Sequence, residues 1–520
     1  MTRVPDLSRP TRLALAAAVA VLASACSMVP TYERPASPVP AQWSEGAASG
    51  AQADAAPLTA EQLSWRNYFP DERLQRLIQA SLLNNRDLRV AVLNIEQTRA
   101  QYRIQRSEQF PTIGLQVNAQ RQPSTAPPFE VGTVATAGLV LSAFELDLFG
   151  RVRALSESAA AQLFASEEAR KSAQISLVAQ VANTYYAIWA DRWQLALAEQ
   201  TLRGRESSLK LQQLKYDNGV LNELDLRSAQ SLVEAARVSR AQAERQWRQD
   251  SNALALLVGQ PVATADLPPA PDVPVATSVD DMDAFPRLGS STLWPTLSEL
   301  PVGLSSDVLL RRPDIAQAEQ QLISANANIG AARAAMFPRI SLTASAGQAS
   351  DSLSGVFDDG RSVWSVTGNL LQPIFDAGRN RANVTLSELR RDVTVAQYER
   401  AVQSAFREVS DALVARQTFG EQALAQQAQA DAEFDRLRLS ALRYRTGVAS
   451  QIDLLDAQRN LFAAQQALIQ AQLARQQAHI TVFRTLGGGW DQTPPEQQSQ
   501  AAPGAVPEPV AVPAAVRSPS

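Results

Sequence analysis

Few side chains in this chain are equipped for chemistry. There is one cysteine, Cys26, and one histidine, His479. A lone thiol cannot form a disulfide within the chain, and a multi-cysteine or multi-histidine metal site is equally out of reach. His479 has no nucleophile motif to serve: there is no GxSxG and no P-loop. The expectation is no catalytic residue, no metal and no cofactor. Cys26 is the exception. It follows an apolar, Ala-rich run from Leu13 to Ala25, preceded by Arg3, Arg9 and Arg12. That run is too short to span a bilayer and has the shape of an export signal over residues 1–25. Leu22-Ala23-Ser24-Ala25 puts small residues before the thiol, which suits a lipoprotein signal peptidase. Cys26 would then carry a diacylglycerol thioether as the mature N-terminus. Ala23 stands where such signals usually carry leucine, so ordinary cleavage after Ala25 is the alternative. Ser27 follows, not aspartate, which favours outer-membrane lipid over retention in the inner membrane.

The composition points away from most enzymes and from nucleic acid. Lys and Arg total 48 against 52 Asp and Glu, a net charge of -4, so no basic excess offers itself to phosphates. The 520 residues are 45 % hydrophobic, enough for two to four domain-sized units. After the signal no run of about 20 apolar residues occurs, so any membrane crossing must use β-strands.

The elements come in two copies, at a period of roughly 227 residues. Tyr216, Gly219, Val220, Asp225, Leu226, Ala229 and Gln230 coincide with Tyr444, Gly447, Val448, Asp453, Leu454, Ala457 and Gln458. Phe110-Pro111 matches Phe337-Pro338, and Phe149-Gly150-Arg151 resembles Phe375 followed by Gly378-Arg379. The reading divides the chain into a lipid-proximal segment (26–70), a first repeat (71–258), a Pro-containing connector (259–312), a second repeat (313–487) and a disordered, Pro- and Ala-rich tail (488–520). Each repeat starts with a helix, about 71–108 and 313–335, which Phe-Pro ends. Two stretches of alternating pattern follow and predict β-hairpins at 111–147 and 338–375. Long helical hairpins then cover 150–258 and 378–487. Val181, Ile188, Leu195, Leu202, Leu209 and Tyr216 recur at the coiled-coil interval. Gly219 and Gly447 sit where a helix end needs positive φ. In the last helix Leu454, Leu461 and Leu468 form one stripe, Leu455, Phe462 and Ile469 a second, and Gln451, Gln458, Gln465 and Gln472 a polar third. Two adjoining seams suit a helix with neighbours on both sides, as in a ring. Four strands cannot close a barrel, and lipid does not tolerate an open edge, so membrane strands here demand an oligomer.

This plan resembles the outer-membrane efflux channel lipoproteins of the OprM type and, more distantly, of the TolC type. The similarity is carried by Cys26-Ser27 with Pro30, Tyr32 and Arg34-Pro35; by Phe110-Pro111; by Arg312-Pro313-Asp314-Ile315; by Leu454-Leu455-Asp456-Ala457-Gln458-Arg459; and by Leu486-Gly487-Gly488-Gly489-Trp490. The resemblance implies a mainly helical fold with transmembrane β-strands. Long α-helical hairpins form a periplasmic α-barrel, and four strands per chain complete a 12-stranded barrel in a homotrimer. It implies passive conduction of drugs or other small compounds, with a periplasmic membrane-fusion adaptor and an inner-membrane pump of the resistance-nodulation-division class as partners. Type I protein secretion is a rival use of the same fold. A lipoprotein adaptor is a rival of another class, but adaptors carry one helical hairpin and soluble β domains.

The resemblance also implies a gate at the helical tip. Tyr444 and Asp225, each expected at the start of a returning helix, match a hydrogen-bonding pair that holds the tip closed. Ile452 matches an apolar constriction, and Asp453 and Asp456 match acids that ring the lumen. Ala449 replaces an arginine that TolC-type channels use in the same latch. Gly219, Val220, Gly447 and Val448 fall at the hairpin tips, where the adaptor docks.

Overall fold

The structure is a computed structural model, and it describes residues 27–43, 64–123, 127, 131–271, 294, 297–298, 305–358 and 360–489. Cys26, the export signal and the tail from Trp490 onward lie outside the described residues, as does most of the connector.

The elements run α1 (Trp65–Tyr68), α2 (Glu72–Asn84), α3 (Arg86–Ser107), β1 (Ile113–Pro123), β2 (Val131–Glu145), α4 (Arg151–Asp217), α5 (Glu223–Val258), α6 (Pro313–Ala334), β3 (Arg339–Ser350), α7 (Gly355–Asp358), β4 (Arg361–Leu371), α8 (Arg379–Arg445) and α9 (Gln451–Thr485). α4 and α8 each have 67 residues, about 100 Å of helix. Arg379 lies 228 residues after Arg151, and Gln451 the same distance after Glu223. The duplication therefore reaches down to individual helix ends.

The helix expected across about 71–108 is two helices. Asn85 interrupts it: its backbone is extended, and its side chain accepts from the Leu88 amide at 2.9 Å. An Asn that caps the following helix ends the preceding one, whereas apolar periodicity alone runs on through it.

The two hairpins merge into one antiparallel sheet in the order β1-β2-β3-β4, with β2 pairing to β3 across the repeats. At that seam Gly138 faces Gly347. A Cβ on Gly138 would sit 2.4 Å from the Ala346 carbonyl oxygen, and one on Gly347 2.2 Å from that of Ala137. Only glycine lets the strands meet this closely.

The main core lies beside the middle of the long helices. Tyr68 stacks on Phe483 at 4.2 Å between ring centroids, and its hydroxyl donates to the His479 carbonyl at 2.8 Å. Trp43 stacks on Phe406 at 5.3 Å. Val181 and Ile188 of the predicted seven-residue stripe are fully buried here, but Tyr216 at its far end is 38 % exposed. The stripe is core near the middle of α4 and surface at its tip. On α9 the first stripe (Leu454, Leu461, Leu468) is buried, and Gln465 of the polar stripe is buried beside it.

Candidate functional site: a one-faced sheet on helical hairpins

Residues opposite one another in a sheet share a face, so the register sorts the side chains. Ile113, Leu115 and Val117 face Leu141, Leu139 and Ala137. Leu141 and Leu139 face Ala344 and Ala346, which in turn face Val366 and Trp364. This face is apolar across all four strands, and Leu115 and Trp364 stand more than three-quarters exposed on it. The opposite face carries Gln116, Asn118 and Gln120, then Thr136, then Ser345 and Ser365, whose hydroxyls are 2.8 Å apart. Strands of 11 to 15 residues are long enough to cross a bilayer at a tilt. No helix among the described residues is long and apolar enough to do so.

Both layers end in open edges. In the sheet, β1 and β4 each lack an outer neighbour among the described residues. Near the sheet the helices pack in the order α3, α4, α6, α8; further out the order is α5, α4, α9, α8. The flanking helices carry exposed apolar residues, Val90 and Leu93 on α3, Leu389 and Val393 on α8. At the base of the sheet, Glu145 accepts from Arg151 at 2.8 Å and from Arg339 at 2.6 Å. One carboxylate thus ties the end of β2 to the starts of α4 and β3.

At the far end of the helices, the two turns are built alike. Gly219 donates to the Tyr216 carbonyl and Val220 to that of Lys215; Gly447 donates to Tyr444 and Val448 to Arg443. This is the two-bond closure of a helix end by a left-handed residue. Gly219 and Gly447 hold φ of 72° and 73°, and a Cβ at either would meet nothing within 4 Å. The backbone angle, not crowding, requires glycine. Val220 and Val448 project at 75 % and 68 % exposure. Around them Leu211, Leu214 and Leu224 are exposed on one hairpin, and their repeat-equivalents Leu439, Leu442 and Ile452 on the other.

The five residues expected at the gate do not form one cluster within the chain. Tyr444 lies on the last turn of the outgoing α8, not at the start of a returning helix. Its hydroxyl is 3.3 Å from Lys215 Nζ on α4, not bonded to Asp225. Asp225 is in the first turn of α5, where its amide donates to the Asn222 side chain at 2.8 Å. Its carboxylate takes no hydrogen bond among the described residues. Ile452 is exposed. Asp453 is engaged locally: its carboxylate accepts from the Ser450 hydroxyl at 2.8 Å and the Ser450 amide at 3.0 Å, and its own amide donates to the Ser450 hydroxyl at 3.3 Å, completing a capping box. Those bonds hold it below the usual carboxylate range. Asp456 accepts from Arg459 at 2.6 Å.

Two motifs that carry the family resemblance also hold the fold together, which their sequence alone does not show. Arg312, 7 % exposed, binds Asp314 at 2.7 Å, Glu408 at 3.0 Å and the Thr485 carbonyl at 2.8 Å. It joins α6, α8 and the end of α9; Arg-Pro-Asp before a helix was the visible signal. Secondly, residues 29–34 lie along α6. Asn326 donates to the Pro30 carbonyl at 2.7 Å, and Glu319 accepts from Tyr32 at 3.0 Å and from both forks of Arg34.

A sheet apolar on one face and polar on the other, mounted on helical hairpins about 100 Å long, defines a membrane channel of the β-strand kind with a helical conduit. The chain belongs to the outer membrane efflux protein family, whose model matches residues 77–260 and 304–488, one block on each repeat. It is 44 % identical over 490 residues to the toluene efflux pump outer membrane protein TtgC of Pseudomonas putida, covering 93 % of this chain and 97 % of that one. It is 43 % identical over 479 residues to the outer membrane protein OprJ of Pseudomonas aeruginosa, covering 91 % of this chain and 95 % of that protein. The open-state crystal structure of the Neisseria gonorrhoeae MtrE outer membrane channel is similar at a TM-score of 0.75 and 38 % identity, over 89 % of this chain and 98 % of that one. The protein is an outer-membrane efflux channel component of the TolC-like fold, a transport conduit of the outer membrane with its helices in the periplasm.

Proposed function

We propose that three copies of this chain close into one channel, and that the channel is the outer-membrane member of a tripartite pump. The observation that carries the reading is the pair of open edges: β1 and β4 in the sheet, and the flanking α3 and α8, or α5 and α8, in the helical layers. A single protomer would leave a row of unpaired backbone groups on each edge in lipid. Three four-stranded sheets give the 12 strands of a closed barrel, polar side inward.

The turns at the far end would meet a periplasmic membrane-fusion adaptor through Gly219, Val220, Gly447 and Val448 with their apolar surroundings. An inner-membrane pump of the resistance-nodulation-division class would supply the energy. The cargo is small organic compounds, as the relatives' names for toluene and antibiotic efflux suggest. Cys26 would carry lipid, and Asp225, Tyr444, Ile452, Asp453 and Asp456 would control passage at the tip. Mass measurement of the detergent-solubilised protein tests the central claim. Three copies per particle are expected; a stable monomer would overturn it.

A further inference from the structure

The turn between β3 and β4 folds back onto one face of the sheet. It carries α7, which touches β2 and β3. A Cβ on Gly355 would sit 2.5 Å from Ser350 Oγ, and one on Gly360 would sit 2.9 Å from the Gln348 Cβ and 2.6 Å from the Val356 carbonyl oxygen. Gln348 lies opposite Ala137, and Ser350 opposite Ala135. With a period of two, these rows share the face of Leu139, Ala346 and Trp364. α7 is therefore on the apolar side of the sheet. Val356 is buried at 3 %, and Ala135, which α7 covers, is the one buried residue of the four strands.

What the turn covers and what it presents are opposite in kind. The rows on this face are apolar from Ile340 with Leu370 to Ala346 with Trp364, then become polar at Gln348 with Ser362 and at Ser350. α7 lies over that polar end and leaves exposed Leu353 and Phe357, the latter at 73 %. From Ile340 to Ser350 a strand tilted by about 40° climbs about 25 Å, the height of the apolar band of an outer-membrane barrel. The long helices mark the periplasmic end of the sheet, so the turn stands at the outer boundary of that band. Barrels carry aromatic side chains at such boundaries. Asp351 and Asp358, exposed at the two ends of the turn, hold it shallow, because charge is tolerated near the interface and not at the midplane. α7 rests on the two inner strands, whereas a second copy would join at β1 or β4.

We infer that the β3–β4 turn is a lipid clip, folded down outside the sheet with Phe357 and Leu353 among the upper acyl chains of the outer leaflet. It replaces the polar end of the strands with apolar cover and so extends the lipid-facing surface. The inference rests on the reading that the apolar face of the sheet meets lipid, and adds a segment that alternation within the strands does not include.

Spin labels read this in the full-length protein, with Cys26→Ser and one new cysteine, reconstituted in phosphatidylcholine vesicles. Collisions with oxygen, which concentrates in acyl chains, are compared with collisions with a water-soluble nickel chelate. Oxygen should dominate at Trp364→Cys on the apolar face, and the chelate at Gln116→Cys on the polar face. Phe357→Cys should follow Trp364→Cys, a reversal of the preference seen at Gln116→Cys. A water-like preference at position 357 beside a lipid-like one at 364 overturns the inference and leaves the lipid-facing sheet standing. Poor access of both reagents at 357 also overturns it, because protein then covers the ring. A water-like preference at both 357 and 364 overturns the lipid-facing reading, and the inference with it.

Discussion

Lys215 and Tyr444 join the two helical hairpins of one chain: the ammonium lies 3.3 Å from the phenol oxygen and 5.8 Å from the ring centroid. The phenol oxygen thus accepts from within its own chain, and its hydrogen is left to donate elsewhere. α8, which carries Tyr444, and α5, which carries Asp225, are the two outer helices of the layer. In a closed ring they become neighbours across a subunit boundary. Under the proposed trimer, the expected Tyr444–Asp225 bond would be a contact between copies, with Lys215 orienting the phenol.

Tyr444→Phe combined with Asp225→Ala should therefore raise single-channel conductance in planar bilayers, and Lys215→Met alone should raise it less. A charge-assisted bond contributes about 1.5–3 kcal/mol, and three copies around a ring can hold a tip closed. Conductance at the wild-type level in the double variant would place the gate at Ile452 instead.

The acids of α9 divide by their partners. Asp453 is committed to Ser450, so Asp453→Ala should fray the start of α9, seen as faster amide exchange over the first turn. Its carboxyl is held below the usual range. The cap is therefore intact above about pH 4 and lost as the pH falls through the lowered value. Asp456 meets only an exposed arginine, an ion pair of small worth. Asp456→Ala should weaken cation selectivity while leaving exchange unchanged.

Gly447→Ala places a side chain at φ 73°. It should cost roughly 1–2 kcal/mol at that turn and lower the adaptor-binding affinity of the isolated channel, measured by surface plasmon resonance. Gly219→Ala should do the same at the other tip.

Arg312→Ala leaves Asp314 and Glu408 without their shared cation. Both carboxylates are partly solvated, so the loss should be about 2 kcal/mol, below the 3–5 of a fully buried pair. A lower thermal midpoint with unchanged conductance is the expected result.

Labelled palmitate should enter the wild type and not Cys26→Ser. Equal labelling of both would remove the lipid.

What the sequence disclosed was local or periodic. Gly219 and Gly447 were legible as turns because a helix end needs a positive φ, and the residues flanking them repeat. The strand faces were legible because alternation has a period of two, and the register then combined four modest patterns into one apolar surface. Asn85 was missed because a cap inside an amphipathic pattern does not interrupt the pattern. Lys215 with Tyr444, and Arg34 with Glu319, were missed for another reason. Each pair is separated by more than 200 residues, and only packing brings its members together. Asp453 is also a helix cap, which Ser450 three residues earlier signals in the sequence.

The segment along α6 also fixes a length. From Val29 beside Gly330 to Arg34 on Glu319, the chain runs down about 16 Å of helix, away from the start of β3. Ser27 is therefore at the sheet end of this run. The described chain begins on a short line beside the rim of the sheet, held against α6. The fork between Arg34 and Glu319 is the cleat. Releasing it would lengthen the line without touching the sheet.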